Sequence, residues 1–79
     1  MTYQELSAKY NKDHLPITTT DDRGGSETIF HGTDRWTYKD IVWNRPYFLI
    51  KTRLHNGLIR YQYFFKDGAT EEFYEMPHN

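Results

Sequence analysis

The stretch "RLHNGLIRYQYFFKDGATEEFYEM", residues Arg53 to Met76, holds two turn signals, Asn56-Gly57 and Asp67-Gly68, set between apolar and aromatic residues. Asn-Gly and Asp-Gly supply the positive φ angles that tight hairpin turns demand. The stretch, with the residues just before it, therefore reads as a three-stranded antiparallel meander over about 47–54, 59–65 and 70–76. A two-residue turn at Asn56-Gly57 sets Leu54 opposite Ile59, Thr52 opposite Tyr61, Ile50 opposite Tyr63 and Phe48 opposite Phe65. That stripe is apolar but for Thr52, and agreement of turn and stripe is what specifies a register. At Asp67-Gly68, a two-residue turn sets Arg60 opposite Glu75 and Tyr61 opposite Tyr74. A three-residue bulged turn would shift this by one and bring in Phe73 instead of Tyr74. The two-residue form is expected, because it places Glu75 beside an otherwise repelling Arg53–Arg60 pair. Tyr61, Tyr63 and Phe65 then face the core. Phe64, Phe73 and Leu49 lie on the other face and need a second cover.

Upstream, Thr2 and Glu5 fit a capping box, and Tyr3, Leu6 and Tyr10 follow at helical spacing. The expectation is a helix over about 3–11, ended by Pro16 and the polar residues before it. "PITTT" (16–20) and "ETIFH" (27–31) read as strands joined across the glycine loop "DDRGGS". Residues 35–43, "RWTYKDIVW", suit either period. The Thr37-Tyr38-Lys39-Asp40 run resembles a second cap and tips the reading towards a short helix. "TYKDI" echoes "TYQEL" at the N-terminus, but the flanks differ and no repeat follows. The fold class expected is α+β: one N-terminal helix packed on a mostly antiparallel sheet of about five strands, ending in the meander.

The chain has 79 residues, enough for a single domain over 1–79. A domain of this size buries only about 60–65% of its unfolded surface. Seven Tyr, five Phe and two Trp are the means of making so small a core dense, since there is no cysteine. Absent cysteine also removes thiolate zinc sites and a Cys nucleophile. No apolar run is long enough for a signal peptide or a bilayer span, so a soluble, cytoplasmic protein is expected. Net charge is −1, but it is uneven: −3 over residues 1–34, +6 over 35–66 and −4 over 67–79.

Enzyme chemistry finds little footing, and the reading is non-enzymatic with no cofactor. "DRGGSE" lacks the spacing and the lysine of a phosphate loop. His14, His31, His55 and His78 do not sit at metal-ligand spacing, and Asp13, His14, Asp21, Asp22 and His31 come from separate loops. Ser7 and Ser26 have no base-and-orienter set. Glu71, Glu72 and Glu75 are the carboxylates of an edge strand, where charge blocks aggregation.

Two binding readings remain. Arg35, Trp36, Trp43, Arg45, Lys51, Arg53 and Arg60 interleave cations with aromatics, and Phe64 adds an uncovered ring. Trp, Tyr and Arg are the residue types that anchor protein interfaces. The first expectation is thus a small accessory or inhibitory domain that binds another protein, of the kind mobile elements such as phages encode. The alternative is a single-stranded nucleic-acid binder, in which cations track phosphates and aromatics stack on bases. Near-zero net charge favours the first. The edge strand 70–76 could also pair with a second copy.

Overall fold

The computed structural model describes residues 1–76. Its elements run α1 (Tyr3–Lys9), a 3₁₀ turn (Lys12–His14), β1 (Ile17–Thr20), β2 (Ser26–Tyr38), β3 (Ile41–Arg53), β4 (Ile59–Phe65) and β5 (Thr70–Glu75). The five strands form one antiparallel sheet in sequence order, so every connection is a hairpin. The architecture is α+β, as the sequence indicates.

Helix α1 starts where the cap predicts. The Thr2 hydroxyl accepts the Glu5 N–H at 3.1 Å, and Leu6 drives the buried face of the helix into the sheet. The core is the cluster Leu6, Ile29, Phe48, Ile50 and Phe64, with Tyr3, Tyr10 and Leu15 packed at its margin. Phe48 is the most enclosed, at 1% exposure. Its ring lies 4.9 Å from Tyr3 and 4.8 Å from His31, centroid to centroid.

The β3–β4 register differs from expectation by one residue. Lys51 faces Tyr61, Ile50 faces Gln62 and Phe48 faces Phe64. The cause is the turn, which has three residues, not two. Leu54 N–H donates to Leu58 C=O at 2.8 Å, and Gly57 N–H to Leu54 C=O at 2.9 Å. Gly57 takes the left-handed position at φ 91°, and the Asn56 side chain accepts the Leu58 N–H. The next hairpin repeats the arrangement. Phe65 N–H donates to Ala69 C=O, Gly68 N–H to Phe65 C=O, Gly68 sits at φ 96°, and Asp67 accepts the Ala69 N–H. The bulged alternative is the one adopted, with Tyr61 opposite Phe73 and Arg60 opposite Tyr74.

A one-residue slip moves every side chain of a strand to the other face. Phe64 therefore lies in the core under α1, and is not an available surface ring. Tyr61, Tyr63 and Phe65 lie on the face away from the helix, where Tyr63 is only half-buried. Ile50 is buried as expected.

Residues 35–43 are not helical. β2 and β3 are thirteen residues each and pair along their whole length, from Ser26↔Arg53 to Tyr38↔Ile41. Lys39 and Asp40 make the turn with φ of 50° and 63°, both left-handed. Trp36 and Tyr38 on β2, and Ile41 and Trp43 on β3, then share one face. Cross-strand pairing of these aromatic and β-branched residues outweighs the cap-like run that suggested a helix.

Candidate binding surface

Neither neighbour accompanies the β2–β3 hairpin to its end. β1 pairs with β2 only up to Ile29, and β4 pairs with β3 only down to Tyr47. Beyond these rows, Thr33 to Tyr38 and Ile41 to Pro46 form a two-stranded arm. Its six residues per strand at about 3.3 Å each reach roughly 20 Å past the sheet body, within a longest dimension of 47 Å. The arm contributes nothing to the core cluster, and its residues from Asp34 onward to Asn44 are exposed.

Two tryptophans face each other across this arm, Trp36 opposite Trp43. They are 46% and 49% exposed. Tyr38, Ile41 and Val42 around the tip are exposed as well. A two-stranded ribbon is marginal in water unless its cross-strand pairs hold it, and the tryptophan pair supplies such a contact. The arm thus carries large apolar side chains that no other part of the described chain covers.

The proposed cations do not form one patch with these rings. Trp36, Trp43, Arg45, Lys51 and Arg53 share the helix-free face, by strand alternation and register. Arg35 and Arg60 lie on the helix side, Arg35 opposite Asn44 and Arg60 opposite Thr52. Lys51 is eight residues from Trp43 on the same strand, about 27 Å away. The helix-side Arg60 Nε and Thr52 Oγ1 are buried and have no hydrogen-bond partner among the described residues.

Arg45 is held in place at the base of the arm. Its Nε donates to Asp67 Oδ2 at 2.8 Å, and its guanidinium lies 3.6 Å from the centroid of the Phe65 ring. Asp67 is held below the usual carboxylate range, first by the Ala69 N–H it accepts and then by Arg45. Beside it, Tyr47 stacks edge-on with Tyr63 and Phe65. Burial, then Asp34, pushes its phenol up. Gly32 is opposite Tyr47, and a Cβ there would come within 2.5 Å of the tyrosine oxygen. The tyrosine ring lies across the open glycine row, and a side chain at residue 32 would have to displace it.

Other polar side chains bond within the fold. Tyr3 Oη and His31 Nε2 are 2.9 Å apart, and burial, helped by Lys12, lowers the His31 pKa. Asp21 accepts the N–H groups of Arg23 and Gly25 and shapes the β1–β2 loop. Among the described residues no three of His, Asp or Glu come together as metal ligands do. His78 lies outside the described residues. No described helix is long and apolar enough to cross a membrane.

The sequence signalled the two tryptophans but not their setting, because the arm depends on a turn of Lys39-Asp40 that carries no glycine. Tyr38 and Ile41, which share the tip, were missed for the same reason. No protein-family model, curated protein or solved structure matches this chain.

Proposed function

We propose that this chain is a non-enzymatic binding module that uses the β2–β3 arm to engage another protein, in an accessory or inhibitory role. The observation that carries the reading is the Trp36–Trp43 pair, half-exposed on an arm that stands clear of the sheet body. Tryptophan at the centre of a partly desolvated patch is the commonest protein-binding anchor, and truncating one costs at least about 2 kcal/mol of binding energy. Tyr38 and Ile41 extend the apolar contact on the same face, and Arg45 lies at its base. The free edges of both arm strands also offer backbone groups to an extended partner segment.

Polyanion binding is the weaker reading. A strand of nucleic acid needs cations alongside the stacking rings, and here Arg35 is on the opposite face while Lys51 and Arg53 are about 27 and about 33 Å from Trp43. Arg45, two residues from Trp43 on the same face, is already engaged with Asp67, which leaves Lys39, 5.4 Å from the Tyr38 ring centroid, as the cation beside the rings.

The test is capture from a lysate of the native host, with and without nuclease, using wild type and a Trp36→Ala/Trp43→Ala variant. Each sample is also titrated against a random oligonucleotide at physiological salt. Expected is a nuclease-resistant protein complex that the double variant loses, and no oligonucleotide binding below about millimolar. Micromolar, salt-sensitive oligonucleotide binding that disappears in Lys51→Glu/Arg53→Glu would replace this reading with the nucleic-acid one.

A further inference from the structure

The face of the sheet away from α1 carries a second apolar surface with no layer upon it among the described residues. Phe30, Leu49 and Tyr63 are half-covered there by neighbours within the same sheet, and Phe73 is 54% exposed. Folded domains are built from two packed layers around a core. Among the described residues a second layer lies on one side only, the seven-residue helix α1. The molecule is a slab 19 Å thick, with a radius of gyration of 14.5 Å, against about 11.6 Å for a compact chain of this length. Its accessible surface is 6096 Å², against about 5,100 Å² for a folded monomer of its mass. The excess of about 1,000 Å² is on the scale of the roughly 800 Å² that one partner gives to a standard interface.

The charges on this face point to what covers it. Arg45, Lys51 and Arg53 come from β3, Asp34 from β2, and Glu71 and Glu75 from β5. The face carries no net charge, with its cations on one strand and most of its carboxylates two strands away. The registers align them in rows: Arg53–Ile59–Glu75, then Lys51–Tyr61–Phe73, then Leu49–Tyr63–Glu71. A two-fold axis lying in the interface and parallel to β4 leaves each residue in its row and exchanges β3 with β5. Arg53 of one copy then faces Glu75 of the other, Lys51 faces the Phe73 ring, Leu49 faces the aliphatic stem of Glu71, and Tyr61 and Tyr63 meet their own counterparts at the centre. Phe65, buried beneath Arg45, stays covered within its own copy. Aligned sheets cross at about 30°, which displaces rows one strand from the axis by only a few Å. The surface is therefore self-complementary, the property an isologous contact requires. We propose that the chain forms a two-fold homodimer through this helix-free face, each copy supplying the second layer of a sandwich for the other.

The contact ends at the Phe65 row, so both arms stay outside it, at the same end of the dimer. Their tryptophans would reach a partner in pairs. The dimer does not depend on what the arms bind, since it uses different rows of the sheet.

Sedimentation velocity on the wild type at about 100 µM, above the Kd range of standard-sized interfaces, is the first measurement. A dimer of twice 9.6 kDa is expected. Phe73→Asp should convert it to monomer with an unchanged circular dichroism spectrum. The decisive pair is Lys51→Glu/Arg53→Glu and Glu71→Lys/Glu75→Lys. Each alone places like charges across the axis and should be monomeric, and mixing the two should restore a heterodimer. A monomeric wild type would overturn the proposal. A dimer indifferent to Phe73→Asp and to the charge reversals would overturn it too, and would move the contact to the free edge of β5.

Discussion

Phe48 joins the parts that hold the fold together: Tyr3 of the helix, His31 of β2 and the cluster with Ile29 and Phe64. Truncating an enclosed phenylalanine costs about 3–5 kcal/mol, much of the stability of a domain this small. Phe48→Ala should therefore lower the urea midpoint sharply, while Tyr38→Ala, 62% exposed at the arm tip, should leave it nearly unchanged. Equal effects would mean that the core is not where the helix sits. His31 allows a second measurement on the same cluster. Burial is the larger cause that lowers its pKa from the ordinary value of 6.5, and Lys12 the smaller. The folded state thus binds fewer protons than the unfolded state, so stability rises with pH. The contribution is complete above 6.5 and is lost as pH falls through the lowered folded value. Between about pH 7.5 and pH 5.5 the melting temperature of wild type should fall more than that of His31→Gln. Parallel curves would remove His31 from the account. The alternation that marks Phe48 and Ile50 as inward was legible in the sequence. The inward position of Phe64 was not, since it depends on one turn residue, and the run Tyr61, Tyr63, Phe65 is the more apolar of the two faces of β4.

At the scale of elements, hairpins were legible and their loop lengths were not. Asn56-Gly57 and Asp67-Gly68 marked both turns, yet the same dipeptides serve a two-residue turn and a three-residue turn closed by a left-handed glycine. What selects the longer form is a side-chain bond, Asn56 to the Leu58 N–H and Asp67 to the Ala69 N–H, at 3.0 and 2.9 Å. Residues 35–43 were obscured differently. Their turn puts Lys39 and Asp40 at φ 50° and 63°, where glycine and asparagine are the usual occupants, and no dipeptide announces it. A non-glycine residue in that region costs on the order of 1 kcal/mol or more. Lys39→Asn with Asp40→Gly should relieve this and make the arm more rigid. Amide hydrogen exchange at Trp36 to Trp43 should slow several-fold, while exchange in β4 stays unchanged. Faster exchange along the arm would show that the Lys-Asp turn makes contacts the Asn-Gly turn lacks.

For the whole molecule, the charge asymmetry of the sequence resolves into two separate regions. The basic middle segment and acidic C-terminal segment become adjacent parts of one sheet, with β3 cations two strands from β5 carboxylates. A contiguous basic strip would need the cations of residues 35–60 on one face, and strand alternation sends Arg35 and Arg60 to the other. The consequence is a division of labour between a body that folds and an arm that projects, and it can be tested by removing the arm. Asp34 and Arg45 are register partners, so joining them through Asn-Gly in place of residues 35–44 closes a two-residue hairpin in the existing register. No residue of that segment belongs to the core cluster, and the Arg45–Asp67 pair at the base remains. The shortened chain should fold cooperatively, with a melting temperature within about 5 °C of wild type, equivalent to roughly 1 kcal/mol. It should retain the sheet signature in circular dichroism and lose any protein captured through Trp36 and Trp43. An unfolded product would mean that the arm supports the sheet. A folded product that still captures the partner would place recognition on the body of the sheet, and the tryptophan pair would then be no more than the clasp of its own ribbon.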